Sequence, residues 1–310
     1  MKYFIILLML FLTTPTVFSK NYNHFEMRDE WQLRTDDGVN LFVRQFGIGD
    51  TVIVLHGGWG SEHSNLIDAF INIADKYHFV FYDQRGSLRS PCADSLISVP
   101  KHIEDVEQLR KELGLEKVII AGYSMGTFLG MSYLEKYPEN VKGLVMIAAI
   151  PAKATIFGLM PFMNAAIKRW ERQDVLDTLK AHGLDGDRKN FTAKQRGTWH
   201  RITQSAINMH SVKNWRQGNS FYYQEMAGRA AASTMPMAID FTEIIKKTNI
   251  PITVIHGDDD YLPLFLHEEW TSTIPNVELK VIENAGHLPW YDQPEIFKTA
   301  ILSALEKYKK

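Results

Sequence analysis

The chain has 310 residues, 45% of them apolar and 23% charged, and its formal net charge is −2. This length and composition favour a soluble globular protein with a sizeable core. The balanced charge, without a basic stripe, argues against nucleic acid and anionic membrane surfaces as partners. Cys92 is the only cysteine, so an internal disulfide is excluded and the core must stabilise the fold unaided.

The first predicted element is a secretory signal in residues 1–19. It begins with the positive charge of Lys2 and continues with an apolar run over residues 3–12. Val17 and Ser19 are residues that a signal cleavage site accepts, so cleavage is expected after Ser19. A transmembrane anchor is the alternative, but the run is short for a bilayer span and is interrupted at residues 13–15. We therefore expect a removed signal and a secreted or periplasmic protein without membrane contact after cleavage.

The chain that follows alternates between strand and helix patterns. Residues 31–46 predict two antiparallel strands around a turn at residues 36–38. Further strands are predicted near residues 51–56, 78–83, 117–122, 142–149, 251–256 and 277–282. Helical patterns lie near residues 64–76, 101–113, 125–137 and 292–308. This alternation predicts an α/β fold with a mostly parallel sheet covered by helices on both faces.

The alternation stops between residues 151 and 248. This interval has helical segments, few β-branched runs and many aromatic residues, and it is too long to be a loop. We therefore predict a helical cap over residues 151–248, inserted after the sixth strand. Residues 20–150 and 249–310 then form the core domain that carries the sheet.

A serine stands where a buried strand turns directly into a helix. Residues 118–121 are short and apolar, and residues 127–137 show helical spacing that ends before a proline. Gly122 and Gly126 flank Ser124 in a G-x-S-x-G pattern, and their missing Cβ atoms let the helix pass close to neighbouring strands. This context predicts a nucleophile elbow, a turn that presents the serine hydroxyl at the edge of the sheet.

A serine hydroxyl needs a histidine base and an acid to orient that base, in the chain order serine, acid, histidine. Residues 252–257 form a predicted strand that leads to three aspartates at 258–260, and the predicted strand at 277–282 is followed by His287. Because the carboxyl ends of parallel strands share one edge of a sheet, Ser124, an aspartate and His287 are expected to meet there. A solvated turn or a weak cation site is the alternative role for the aspartates.

The segment His-Gly-Gly-Trp-Gly at residues 56–60 follows a predicted strand at 52–55. Acyl transfer builds negative charge on a carbonyl oxygen, and one backbone N–H aimed at that oxygen is typically worth about 3 kcal/mol. We predict that the N–H groups of Gly58 and of Met125, the residue after the serine, form this oxyanion hole. His56 is expected to be a hydrogen-bonded structural histidine.

Together these motifs resemble a known family. They are H-G-G-W-G at 56–60, D-Q-R-G-S-L-R-S at 83–90, G-Y-S-M-G at 122–126, H-G-D-D-D at 256–260 and N-A-G-H at 284–287. They are similar to the motifs of the α/β-hydrolase fold and, within it, of the prolyl iminopeptidase group, over roughly residues 30–305. Trp59 and Leu88 stand where that group usually has proline and glycine.

The resemblance implies roles for individual residues. Ser124 matches the family's nucleophile and His287 matches its base. Asp260 matches its acid, because the family pattern after this strand is G-x-x-D counted from Gly257. The two preceding aspartates are then loop acids.

The group is also expected to bind the free amino terminus of its substrate through glutamates of the cap, and a small ring through aromatic side chains. Glu171 beside Trp170 and Glu225 are the candidates in this chain, and Trp59 is a further candidate for substrate contact. The alternative for each glutamate is a solvated helix face.

A serine nucleophile with a histidine base supports an acyl-enzyme mechanism on an ester or an amide. Dehalogenases and epoxide hydrolases of the same fold are excluded, because they require a carboxylate at the elbow. The histidines are scattered, and the chain has neither H-E-x-x-H nor a glycine-rich phosphate loop, so the sequence indicates no metal and no cofactor.

We therefore predict a serine hydrolase that acts on a small molecule or a short peptide, as an aminopeptidase of prolyl iminopeptidase type. The first alternative is a carboxylesterase that acts on small esters. The second is a non-catalytic small-molecule binding protein of the same fold, which the complete set of catalytic motifs argues against.

Overall fold

The computed structural model describes residues 29–216 and 223–309. The predicted signal, residues 1–19, lies outside the described residues. Within those two ranges, no helix is both long enough and apolar enough to cross a lipid bilayer.

The described chain alternates strands with helices in the order that the sequence predicts for the core. Its strands are β1 (Asp29–Arg34), β2 (Asn40–Gly47), β3 (Asp50–Leu55), β4 (Tyr77–Tyr82), β5 (Val118–Tyr123), β6 (Val141–Ile147), β7 (Lys153–Thr155), β8 (Ala238–Asp240), β9 (Ile252–Gly257) and β10 (Val277–Ile282). Its α-helices are α1 (Ser64–Phe70), α2 (Val99–Glu112), α3 (Met125–Lys136), α4 (Ile156–Ile167), α5 (Gln173–Ala181), α6 (Ala193–Asn208), α7 (Glu225–Ala232), α8 (Thr242–Thr248), α9 (Phe265–Thr273), α10 (Pro289–Asp292) and α11 (Pro294–Glu306).

Eight of these strands form one sheet in the order β1-β2-β4-β3-β5-β6-β9-β10. The pairs β1–β2 and β2–β4 are antiparallel, and all other neighbours in the sheet are parallel. The predicted amino-terminal hairpin and the predicted mostly parallel sheet are therefore confirmed. Because β3, β5, β9 and β10 run in the same direction, the loops that follow them emerge at one edge of the sheet.

The sheet separates two apolar layers. Successive strand side chains point to opposite faces, so Ile53 and Ile120 pack on one face while Val52 and Ile119 pack on the other. Helices α2 and α3 cover the first layer, and α1 and α11 cover the second. Every residue of β5 is buried, which explains why this strand reads as a continuous apolar run.

The interval after β6 carries a set of helices with a small core of its own. That core contains side chains from α5 and α6, among them Val175, Leu179 and Ile202. Strands β7 and β8 pair antiparallel at the base of this segment and join its two ends. After this segment the chain returns to the main core at Phe241 and Ile245, which pack in the apolar layer that α2 and α3 cover.

Two predicted helices are shorter than expected. The pattern at 64–76 forms α1 followed by a separate 3-10 helix, Ile71–Ile73. The pattern at 292–308 is divided between α10 and α11, because Pro294 has no N–H to continue the first helix and fits the first position of the second.

A buried carboxylate joins α2 to α3, the helix that follows Ser124. Glu107 accepts hydrogen bonds from Arg110 Nε (2.9 Å), the Tyr133 hydroxyl (2.7 Å) and Asn140 Nδ2 (3.2 Å). Burial opposes ionisation, but the hydrogen bonds from Arg110 and Tyr133 outweigh it and lower the pKa of Glu107 to about 2. The ionised carboxylate therefore stabilises the folded state.

We expect Glu107→Gln to lower the free energy of unfolding by about 2 kcal/mol at pH 6, because charge-assisted hydrogen bonds are lost. The folded pKa lies below the unfolded one, so the wild-type advantage is complete above about pH 4.5 and is lost as the pH falls towards 2. Urea unfolding of both proteins at a series of pH values measures this difference. Glu112→Gln, an exposed change on the same helix, is the control, and a difference independent of pH would contradict the assignment.

Candidate active site

Ser124 occupies a strained turn between β5 and α3. Its backbone lies at φ 50° and ψ −119°, a conformation that L-residues rarely adopt. The turn is held because Ser124 N–H donates to Ile147 O (2.9 Å) and the Thr127 hydroxyl donates to Ser124 O (2.6 Å). The fold therefore supports the predicted elbow with hydrogen bonds on both sides of the serine.

Glycines around this turn are required by the close approach of neighbouring backbone. A Cβ atom at Gly126 would lie 2.2 Å from Leu55 O, and one at Gly57 would lie 2.9 Å from the Cβ of Ser124. Both distances are too short for real contacts. The small residues therefore let α3 and the loop after β3 meet directly at the serine.

Three side chains from three strand ends form one hydrogen-bonded chain. Ser124 Oγ lies 2.9 Å from His287 Nε2, and His287 Nδ1 lies 2.8 Å from Asp260 Oδ2. The backbone N–H of Leu262 donates to the other carboxylate oxygen of Asp260 (2.9 Å). The three residues follow β5, β9 and β10, as expected from the direction of these strands.

The side-chain carboxylate of Asp260 is completely buried, yet its surroundings favour the ionised form. Burial alone would raise the pKa of Asp260, but the positive charge that His287 and His256 can carry and the hydrogen bond with His287 outweigh it, so the pKa lies below its ordinary value. Burial lowers the pKa of His256, whose Nε2 lies 2.7 Å from Leu262 O. Asp260 can therefore remain negative beside an imidazolium.

The three consecutive aspartates have different partners. Asp258 Oδ1 accepts from the backbone N–H of Ala285 (3.2 Å). Asp259 pairs with Arg169 (2.9 Å) and His210 (3.0 Å), which belong to the segment between β7 and β8. Of the three carboxylates, only that of the third aspartate hydrogen-bonds His287.

The loop after β3 is braced by the segment that follows β4. Gln84 N–H donates to His56 Nε2 (3.0 Å), and Gln84 Nε2 donates to His56 O (2.9 Å). Arg85 is buried and its guanidinium donates to Asp37 and Asp105. His56 is thus a structural histidine, as expected, because its ring nitrogen Nε2 and its backbone oxygen both accept hydrogen bonds from Gln84.

A small cavity opens beside Ser124 and His287, with a volume of about 130 Å³. Gly58, Ser61, Glu62, Asn65, Tyr123, Asn208 and Tyr261 are among the residues of its wall. Ser61 and Asn65 are more than nine-tenths buried, and no described residue hydrogen-bonds their side chains. The wall therefore offers unused polar groups together with a carboxylate.

That carboxylate, Glu62, is only 3% exposed. It accepts hydrogen bonds from the backbone N–H (2.8 Å) and hydroxyl of Ser64, and Arg89 Nη1 lies 3.7 Å from one of its oxygens. Arg89 Nη1 is also 3.7 Å from Asp83, which lies 2.6 Å from His63 Nδ1. Glu62, His63 and Asp83 are spaced closely enough for a metal ion, but His63 Nδ1 and Asp83 Oδ1 already hydrogen-bond one another.

Comparison with known proteins identifies the family. A family model described as the alpha/beta hydrolase fold matches residues 50–294, which is well over half of the chain. The chain belongs to this family. The predicted fold class is therefore confirmed, and this protein is a hydrolase of α/β fold.

Individual relatives are distant but cover most of the hydrolase. It is 27% identical over 271 residues to the non-heme chloroperoxidase CPO-A1 of Kitasatospora aureofaciens (82% of this chain, 90% of that protein). It is 25% identical over 267 residues to the proline iminopeptidase of Lactobacillus delbrueckii subsp. bulgaricus (78% and 85%), in agreement with the resemblance of its motifs. A solved thermophilic esterase from Thermogutta terrifontis shares the fold with a TM-score of 0.65 at 20% identity (91% and 99%).

The residues that the sequence suggests for substrate contact do not line the cavity of this hydrolase. Trp59 is buried in the core, where it stacks on His102 at a centroid distance of 4.8 Å and donates to Met235 Sδ (3.0 Å). Glu171 is exposed, and Glu225 is exposed in an ion pair with Arg229 one helical turn away. None of the three candidates belongs to the wall of the cavity beside Ser124.

Several wall residues were not among the sequence candidates, and Glu62 and Tyr261 are two of them that carry ionisable groups. Glu62 stands two residues after the His-Gly-Gly-Trp-Gly segment, and Tyr261 directly follows Asp260. Their positions next to predicted site loops are the only signal that the sequence contains for either residue.

Proposed function

We propose that the hydrolase works by an acyl-enzyme mechanism, with Ser124 as nucleophile, His287 as base and Asp260 as acid. The observation that carries this proposal is the unbroken hydrogen-bonded chain from Ser124 Oγ through the imidazole to Asp260 Oδ2, with distances of 2.9 and 2.8 Å. His287 Nε2 takes the serine proton as Oγ attacks the carbonyl carbon, and Asp260 stabilises the resulting imidazolium. Water then hydrolyses the acyl-enzyme with the same base.

Two backbone features support Gly58 and Met125 as the donors of the oxyanion hole. Gly58 has a φ of +67° and belongs to the wall of the cavity beside Ser124. Met125 is the first residue of α3, where N–H groups have no acceptor within the helix. The positive end of the helix dipole favours negative charge at the same place.

The polarity of the cavity supports an aminopeptidase over a carboxylesterase. An acyl group with a free ammonium can pair with Glu62 and hydrogen-bond Ser61 and Asn65. A hydrocarbon acyl chain would leave the buried side chains of Ser61 and Asn65 without partners, at a cost of about 1–3 kcal/mol each. A volume of about 130 Å³ suits a single small residue. The proline iminopeptidase relative agrees with this substrate class.

Replacement of Glu62 tests the proposed function. We expect Glu62→Gln to lower kcat/KM for proline and alanine naphthylamides about 10- to 100-fold, because a charge-assisted contact worth about 1.5–3 kcal/mol is lost. Glutamine keeps the size of the side chain and one acceptor for Ser64. A short neutral acyl nitrophenyl ester makes no such contact, so its turnover should change little.

Glu171→Gln and Glu225→Gln are the matched controls, since they make the same chemical change on exposed positions away from the cavity. If either control variant loses amide turnover while Glu62→Gln does not, the substrate ammonium is bound by the glutamate of that control, in the predicted cap. Wild-type turnover of esters alone would favour the carboxylesterase. Failure of a fluorophosphonate to label the wild-type enzyme would favour a binding protein.

A further inference from the structure

Two hydroxyl groups approach the same nitrogen of His287. Tyr261 Oη lies 3.0 Å from His287 Nε2, and Ser124 Oγ lies 2.9 Å from that atom. The Tyr261 ring also packs on the imidazole with a centroid distance of 4.4 Å. The phenol is therefore held at the atom that must accept and later return the catalytic proton.

The phenol of Tyr261 holds its proton at neutral pH. Burial raises the pKa of the phenol, and the nearby negative charge of Asp260 raises it further, while a hydrogen bond with Ser124 acts in the opposite direction. The group is therefore a neutral hydroxyl, able to donate one hydrogen bond and to accept another.

The geometry limits how the two hydroxyls can share the imidazole. His287 Nδ1 is engaged by Asp260 at 2.8 Å, so a neutral ring has one lone pair, on Nε2, for two hydroxyl donors. When Ser124 donates to that lone pair, the Tyr261 proton must point to another acceptor. Once the serine proton has moved to Nε2, the new N–H can instead donate to the Tyr261 oxygen.

The leaving group must also come close to Nε2. In acyl transfer the imidazolium returns its proton to the departing nitrogen or oxygen, which therefore has to lie within hydrogen-bond distance of that N–H or be linked to it by one intervening group. In the free enzyme Tyr261 Oη holds such a position and belongs to the wall of the cavity. Among the residues that the structure describes, its hydroxyl has polar contacts only with His287 and Ser124.

We propose that Tyr261 is a further catalytic residue that relays the proton from His287 to the leaving group. As the tetrahedral intermediate collapses, the bond between carbon and the leaving atom breaks, and the electron pair of that bond stays on the leaving atom. That atom takes the phenolic proton, and the Tyr261 oxygen takes the proton of His287 Nε2. The phenol and the neutral imidazole are thereby restored. This inference rests on the proposed acyl-enzyme function.

A relay of this kind matters in proportion to how much the leaving group needs a proton. An amine leaves an amide only when it is protonated, whereas a nitrophenolate is stable as an anion. Two substrates with the same aminoacyl group, a naphthylamide and a nitrophenyl ester, therefore separate the relay from substrate binding. Their kcat/KM values report acylation only, so the shared deacylation step does not enter the comparison.

We expect Tyr261→Phe to lower kcat/KM for the naphthylamide about 100-fold, the lower end of general acid catalysis, and to change that for the nitrophenyl ester less than about threefold. Tyr123→Phe is the comparison variant. It removes another hydroxyl from the cavity wall beside Ser124, one without a hydrogen bond to His287 among the described contacts, and should change both rates by one common factor.

Other outcomes overturn the relay. Equal losses on both substrates in Tyr261→Phe would show a packing role, and equal gains would show that the hydroxyl merely competes with Ser124 for the base. Fluorophosphonate labelling distinguishes the two levels of the argument, because fluoride leaves without a proton. If the wild-type protein is not labelled, the proposed function and the relay are both wrong. If the wild type and Tyr261→Phe are both labelled normally and Tyr261→Phe loses the same factor in rate on both substrates, only the relay is wrong.

Discussion

Ser124→Ala is expected to abolish covalent labelling by a fluorophosphonate and to lower kcat by about five orders of magnitude, as in other serine hydrolases that lose their nucleophile. The reason is that, among the described residues, Ser124 is the only serine whose Oγ hydrogen-bonds His287 Nε2, at 2.9 Å. Stability should change by less than about 1 kcal/mol, because only one hydroxyl at the cavity surface is removed. Labelling with mass-spectrometric site identification, single-turnover kinetics and thermal unfolding measure the three effects.

Ser132→Ala provides the matched control for this change. Ser132 lies on the same helix, α3, and is buried away from the cavity wall. This variant should label and turn over substrate like the wild type. Persistent labelling of Ser124→Ala at Ser61, the other serine of the cavity wall, would contradict the assignment of the nucleophile.

The second large effect concerns the acid. Asp260→Asn should lower kcat about 10⁴-fold, because the amide no longer stabilises the imidazolium and can hold His287 in the wrong tautomer. KM should change little, since the carboxylate at 2.8 Å from Nδ1 is buried behind the imidazole. Steady-state kinetics on one naphthylamide and one ester measure both parameters.

The two neighbouring aspartates serve as controls of the same chemical type. Asp258→Asn keeps an acceptor for the N–H of Ala285. Asp259→Asn loses only a partly exposed ion pair with Arg169 and weakens a contact with His210. Both variants should retain kcat within a few-fold. An inactive Asp258→Asn together with an active Asp260→Asn would show that the acid is the first aspartate.

Much of the fold could be predicted because its signals are local. A fully buried parallel strand such as β5 is a continuous apolar run, and Gly122 and Gly126 stand where a Cβ atom would meet neighbouring backbone. Strand direction then implies that the loops after β5, β9 and β10 meet. The proximity of Ser124 and His287 could therefore be predicted from the sequence pattern and the strand directions, without any knowledge of side-chain contacts.

The choice among the aspartates required a family pattern, and the composition of the cavity wall depends on contacts that no local pattern contains. Any of residues 258–260 can follow a strand, so the third was predicted from its match to G-x-x-D, and the paths of the loops bring it to His287. Glu62 reads as an ordinary loop acid, because its burial depends on Ser64 and on Arg89 from another loop. Glu225 reads as a binding residue by its aromatic neighbours, yet its helix turns it towards solvent and Arg229.

The pairing of β7 with β8 has an evolutionary consequence. The register Lys153↔Asp240 to Thr155↔Ala238 brings the two ends of residues 156–237 side by side, so this segment leaves and re-enters the scaffold at one point. An insertion whose ends already meet can be lengthened, shortened or exchanged at little extra loop-closure entropy, without altering the paths of β6 and β9. Selection can therefore remodel this segment, which supplies Asn208 to the cavity wall, while the strands of the core are inherited unchanged.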